Sequence, residues 1–175
     1  ALDICEALSY LFCKDGISKI NMKIDGKAVS SFENTTIPLS CITPNLGINN
    51  FETSTFDLYQ TSSVLVYNEK ELAGKTYYIP TTTRIQNTNQ TIDQKVSLLL
   101  DHFENNTKVE TTKKSQLNDG LLSIYLSSRI LDNSENISPT LYSRLEKSFL
   151  SLPDVSSVHI YINNELIQED QNVST

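Results

Sequence analysis

Apolar residues recur along the chain with two periods, and the points where one gives way to the other divide it into elements. Residues 2–13, LDICEALSYLFC, set Ile4, Ala7, Leu8 and Leu11 at helical spacing and predict a helix with that stripe turned inward. Residues 17–24 alternate instead. Ile20, Met22 and Ile24 face one way and Asn21 and Lys23 the other, the pattern of a half-buried strand. Asp25-Gly26 then makes a tight turn. Residues 30–59 hold no sustained period, and Pro38, Pro44 and Gly47 mark them as a connector. The apolar residues of that connector (Ile37, Leu39, Ile42, Leu46, Ile48, Phe51, Phe56) predict that it lies against a packed surface.

From residue 60 the two periods alternate regularly. SVLVYN at 63–68 and KTYYIP at 75–80 read as strands around a short loop. NQTIDQKVSLLLDHF predicts a helix over 92–103, opened by a Thr91/Gln94 capping box and striped by Ile92, Val96, Leu99, Leu100 and Phe103. TKVETT and LLSIYLSS predict two strands joined by KKSQLNDG. SPTLYSRLEKSFLSL predicts a helix over 139–151, with Ser138 as N-cap, Pro139 in the first turn and Leu141, Leu145, Phe149 and Leu152 inward. VSSVHIYI closes the series as a strand with Val158, Ile160 and Ile162 on one face. The order strand, strand, helix, strand, strand, helix, strand predicts an α+β domain, a mixed sheet with two helices on one face.

The two ends of the chain repeat each other. Under an offset of 138, which sets Ile17 on Val155, Ile20 meets Val158, Met22 meets Ile160, Ile24 meets Ile162, and Asp25-Gly26 meets Asn163-Asn164. Upstream, Ile4 meets Tyr142, Ala7 meets Leu145 and Leu11 meets Phe149. A helical and a strand period agreeing at one offset is the mark of a tandem repeat. The expected organisation is 1–29 as the closing helix–strand of a truncated first repeat, 30–59 as connector, 60–168 as a complete second unit and 169–175 as a disordered tail. A lone helix–strand pair cannot bury its own apolar faces, so the connector or a second molecule is expected to cover them.

The second unit resembles the GerMN domain, a module found in tandem in bacterial sporulation and germination proteins and singly in bacterial lipoproteins. The likeness lies in SVLVYN, YYIPTTTRI, LLSIYLSSRI, SRLEKSFLSLPDVSSVHIYINNEL and the linking IPLSCITPNLGINNFE. After the first helix LLLDHFENN lacks the Gly-Pro turn of the family. The resemblance implies a βαββαβ-like fold similar to the ring-building modules of sporulation channel proteins. It implies an exported protein of a spore-forming Gram-positive bacterium, anchored by a lipidated cysteine upstream of Ala1, between mother cell and forespore. It also implies assembly rather than chemistry, with other envelope or sporulation-channel proteins, a second copy of itself or peptidoglycan as partners.

Composition narrows the chemistry. A net charge of −7 argues against a nucleic-acid partner, because phosphate binding needs a basic face. No apolar run reaches the length of a membrane-spanning helix. Asn (16), Ser (21) and Thr (17) give a polar, weakly charged surface suited to export. Cys5, Cys13 and Cys41 have no metal-ligand spacing and read as buried small apolar residues. Cys5 and Cys13 lie eight positions apart on one predicted helix, roughly 12 Å, too far for a disulfide. His102 ends a helix, and His159 faces outward on a strand where the other copy has Asn21. No phosphate loop, HExxH or GxSxG is present. Asp101, Glu104 and Asn105 read as a solvated helix end rather than a cation site. No catalytic, cofactor or metal residue is expected, and the chain is read as a non-enzyme. Tyr77, Tyr78, Tyr125, Tyr161 and His159 are the candidate interaction surface, for a protein partner or, alternatively, a cell-wall glycan or peptide.

Overall fold

A computed structural model of the chain describes residues 2–14, 16–32, 38–50, 58, 60–87, 90–103 and 109–167. Among the described residues three α-helices, α1 (Leu2–Phe12), α2 (Ile92–Asp101) and α3 (Pro139–Phe149), alternate with eight strands. The strands are β1 (Lys23–Ile24), β2 (Lys27–Ala28), β3 (Thr61–Leu72), β4 (Lys75–Gln86), β5 (Gln116–Asn118), β6 (Leu121–Leu126), β7 (Ser157–Ile162) and β8 (Glu165–Ile167). The fold is α+β, as the alternation of periods predicts. By compactness the chain falls into two units, residues 1–63 with 80–86, and residues 64–79 with 87–175.

Among the described residues four hairpins close on two-residue turns. Asp25-Gly26, Ala73-Gly74, Asp119-Gly120 and Asn163-Asn164 all have positive φ at both central residues. That backbone matches the right-handed twist of the flanking strands and favours Gly and Asn. Ala73 is the exception, and its turn joins strands twice as long as KTYYIP and SVLVYN suggest.

In the second unit, β5-β6-β7-β8 form a mixed sheet: β6 and β7 run parallel, and the outer pairs are antiparallel. Leu122, Ile124 and Leu126 on β6 stand opposite Val158, Ile160 and Ile162 on β7, and all six are buried. Val96, Leu99 and Leu100 of α2 and Leu145 and Phe149 of α3 are buried as well, and the two helices touch each other. The opposite face of the sheet is only half-buried.

Thr91 Oγ1 accepts from Gln94 N at 3.3 Å and Gln94 Oε1 accepts from Thr91 N at 2.8 Å, the reciprocal cap expected from the sequence. Thr91→Ala removes one acceptor from α2 and is expected to lower stability by about 1 kcal/mol in urea denaturation. No change would mean the cap is dispensable. Helix α3 also serves an edge of β3. Leu65 N donates to Ser151 Oγ at 2.7 Å, Tyr67 N donates to Ser148 Oγ at 2.9 Å, and Arg144 Nε donates to Tyr67 O at 2.9 Å. Three side chains of α3 and the turn that follows it thus fill the positions a strand would take.

One expected element differs. The strand expected at 107–112 is a single bridge, Thr111 to Leu126, with residues 107–108 outside the described residues. The true strand is β5, inside the predicted loop, because the tight Asp119-Gly120 turn pairs Asn118 directly with Leu121. The tail from Gln168 also lies outside the described residues.

In the first unit the strand expected over 17–24 is regular only at Lys23–Ile24. Ile20 instead exchanges both backbone hydrogen bonds with Ile42, and Met22 N donates to Leu39 O. The turn pairs Ile24 with Lys27 just as Ile162 pairs with Glu165, which is the offset of 138 again. The buried side of the helix differs, however. Cys5, Glu6 and Ser9 are the buried residues of α1, while Ile4 is 61% and Leu11 53% exposed. Cys5 packs with Leu39, Ile42 and Leu46. Ser9 Oγ donates to Thr43 O at 2.7 Å, and Glu6 Oε1 accepts from Asn50 Nδ2 at 2.7 Å. Buried polar groups must be paired, so these two bonds orient the helix toward the connector. The connector therefore covers α1, but on the Cys5 side and not on the Ile4–Leu11 stripe. Ile37, Phe51 and Phe56 lie outside the described residues.

Candidate interaction face

Register brings three of the five candidate residues together. In the parallel β6–β7 pair Tyr125 stands opposite Tyr161 and Ser123 opposite His159. These are the outward positions, since their neighbours Ile124, Leu126, Ile160 and Ile162 are buried. The rings of Tyr125 and Tyr161 stack with centroids 5.0 Å apart and planes 18° apart. His159 meets Tyr161 edge-on at 6.3 Å and 79°. Extending the rows through β5 and β8 adds Gln116 beside Ser123, Asn118 beside Leu121, and Leu166 beside Tyr161.

Lys113 completes the cluster, and the sequence does not point to it. Its Nζ lies 5.3 Å from the Tyr125 ring centroid and donates to Asn164 Oδ1 of the β7–β8 turn. The ring of Tyr125 is thus flanked by Tyr161 and by an ammonium, a favourable arrangement for the negative face of a π system. Tyr77 and Tyr78 are not part of this cluster. They are adjacent on β4 and so face opposite ways. Tyr77 is 48% exposed, and Tyr78 lies under Lys147 of α3 at 5.6 Å.

Cys5 is buried, Cys13 half-buried with its Sγ 3.8 Å from Ile42 O, and Cys41 exposed, which corrects the expectation of three buried thiols. Cys41 sits in a left-handed conformation (φ 54°), and its N donates to the Asn21 side chain at 2.8 Å, which turns the thiol outward. Burial pushes the Cys5 thiol pKa up, with the Glu6 carboxylate adding to it. A raised pKa leaves less thiolate at any given pH. Titration of the unreduced native protein with a thiol reagent should therefore modify Cys41 first and Cys5 last. Unfolding should release three thiols, and a blocked Cys5–Cys13 pair would contradict the helical spacing.

Beside the β7–β8 turn a cavity of about 300 Å³ is ringed by Asp132, Glu135 and Glu165. Asp132 Oδ1 already accepts from Ser134 N and Asn136 N, so it holds its own loop. Among the described residues no three His, Cys, Asp or Glu side chains are placed to share a metal ion. Glu104 and Asn105 lie outside those residues. Among the described residues no helix is long and apolar enough to cross a membrane.

Comparison with known proteins gives the fold a context. No family model matches the chain. The spore germination protein GerM of Bacillus subtilis is 26% identical over 171 residues, covering 87% of this chain and 46% of that protein. The solved tandem GerMN domains of the sporulation protein GerM from Bacillus subtilis superpose with a TM-score of 0.74 at 21% identity, over 93% of this chain and 61% of that one. The chain spans about half the length of the curated relative it matches.

Proposed function

Proceeding from a GerMN-domain protein, we propose that this chain is a non-catalytic, exported sporulation and germination protein whose folded units serve protein–protein assembly at the envelope between mother cell and forespore. It is held there by a lipid anchor and works beside envelope or sporulation-channel proteins. The observation that carries this reading is the similarity to a spore germination protein over 87% of the chain. The Tyr125–Tyr161–His159 face supports it, because half-buried aromatics beside polar Gln116, Asn118 and Ser123 are the anchors protein interfaces use. A glycan platform needs a free ring face, and Tyr125 is flanked on one side by Tyr161 and approached by Lys113.

The test is genetic and chemical. Disrupting the gene in the bacterium that carries it should lower the yield of heat-resistant spores or delay their germination. Photo-crosslinkers placed at exposed positions of both units should yield protein adducts during sporulation. Normal spores together with no adduct from any position would overturn the proposal.

A further inference from the structure

We propose that the free end of the β3–β4 hairpin inserts into the surface of an anionic lipid bilayer, with Leu72, Tyr77 and Ile79 entering the headgroup layer and Lys70 and Lys75 held against lipid phosphates. Both strands are twelve residues long and join at the two-residue turn Ala73-Gly74. Leu72 therefore stands opposite Lys75, Lys70 opposite Tyr77 and Asn68 opposite Ile79, and these six residues share one face. Glu69, Glu71, Thr76 and Tyr78 take the other face, where Lys147 of α3 lies over Tyr78. The hairpin thus sorts its charges: both lysines stand among the apolar residues, both glutamates on the opposite side. Neither Lys70 nor Lys75 has an ion pair or a side-chain hydrogen bond among the described residues. Leu72 is 63% exposed, more than any other large apolar side chain among them, and Tyr77 and Ile79 are exposed as well.

Residues 69–72 and 75–77 are exposed on both faces. That end of the hairpin is four residues long, roughly 13 Å, and stands clear of the packed core. The Debye length at physiological ionic strength is about 8 Å, so the net −7 of the chain is largely screened from the tip. Size decides between a bilayer and a protein partner. A face two strands wide and five residues long covers roughly 200 Å², whereas a stable protein interface takes about 800 Å² from each partner. Entry into the headgroup layer has no such threshold, because each apolar side chain contributes as it leaves water. Tyrosine favours the headgroup level, and the lysine stem lets the ammonium stay at the phosphates while its neighbours sink.

The chain has no tryptophan, so Leu72→Trp supplies a single reporter. Mixed with vesicles of phosphatidylcholine and a minority of phosphatidylglycerol, its emission should move to the blue and be quenched by lipids brominated near the headgroup end of the tails. Leu11→Trp, on the exposed side of α1, should show neither effect. When the full chain is sedimented with the same vesicles, Leu72→Glu should weaken binding by about tenfold or more. Lys70→Ala and Lys75→Ala should each weaken it about fivefold, and vesicles of phosphatidylcholine alone should bind less. All three positions are exposed, so the urea midpoint of each variant should match that of the unaltered chain. No sedimentation with the mixed vesicles, quenching of Leu11→Trp but not of Leu72→Trp, or binding unchanged by Leu72→Glu would each overturn the proposal. So would a protein adduct from a photo-crosslinker at Leu72 in a chain that binds no vesicle. None of these outcomes touches the assembly reading, which stands or falls on spore yield and on adducts from the other positions.

Discussion

Phe149→Ala should lower the stability of the second unit by about 3–5 kcal/mol, whereas Leu150→Ala, one residue on, should cost within about 0.5 kcal/mol. Phe149 is 0% exposed and Leu150 41% exposed. Deleting the Phe149 ring loses its transfer free energy and leaves a cavity that the close-packed surroundings fill only in part. A typical domain holds about 5–15 kcal/mol in total, so the first variant should be near its unfolding threshold and the second indistinguishable from wild type. Urea titration of both variants decides this. Similar losses for the two would mean that α3 does not turn the assigned face to the sheet.

Gly47→Ala should cost roughly 3 kcal/mol in the first unit, the largest effect expected there from adding a single methyl group. Gly47 has φ 79° and ψ −166°, a region almost closed to residues with a side chain. A methyl group there would lie 2.3 Å from Thr82 Oγ1 and 2.7 Å from Thr82 Cγ2. Thr82 has no freedom to move aside. Its hydroxyl accepts from Ile48 N at 2.7 Å and donates to Ile48 O at 2.6 Å, and its own N donates to Ile48 O at 3.0 Å. Shifting it gives up about 0.5–1.5 kcal/mol per hydrogen bond on top of the backbone strain. Thr82→Ala removes the colliding atoms, so the double variant should lose less than the sum of the singles. Strict additivity would show that strain alone, and not the collision, sets the cost.

Elements governed by neighbours in sequence were legible beforehand. The α2 stripe and its Thr91/Gln94 cap, the α3 stripe around Leu145 and Phe149, and the inward Val158, Ile160 and Ile162 follow from local periods and local hydrogen bonds. What escaped depends on partners far along the chain. The buried side of α1 is set by Thr43 and Asn50, 34 and 44 residues beyond Ser9 and Glu6. No periodicity within residues 2–13 encodes those bonds, and the apolar stripe there points to the wrong side. The interaction face divides the same way. Alternation places Tyr125, Tyr161 and His159 outward, but only the β6–β7 register brings them together, and only the fold of the β7–β8 turn brings Asn164 to Lys113. Tyr77 and Tyr78 had the same sequence signal, and β4 carries them elsewhere.

The helix that stands in for a strand makes two amides into reporters. Leu65 and Tyr67 each give their proton to a serine hydroxyl 86 and 81 residues away. Their exchange with deuterated solvent is therefore slow only while α3 is docked, whatever the hairpin itself does. When α3 lifts, two adjacent ladder sites open at once, and an open ladder accepts any strand that reaches it. Ser148 and Ser151 thus double as a guard against misassembly, and the lifetime of the Leu65 and Tyr67 protons measures how often that guard is down.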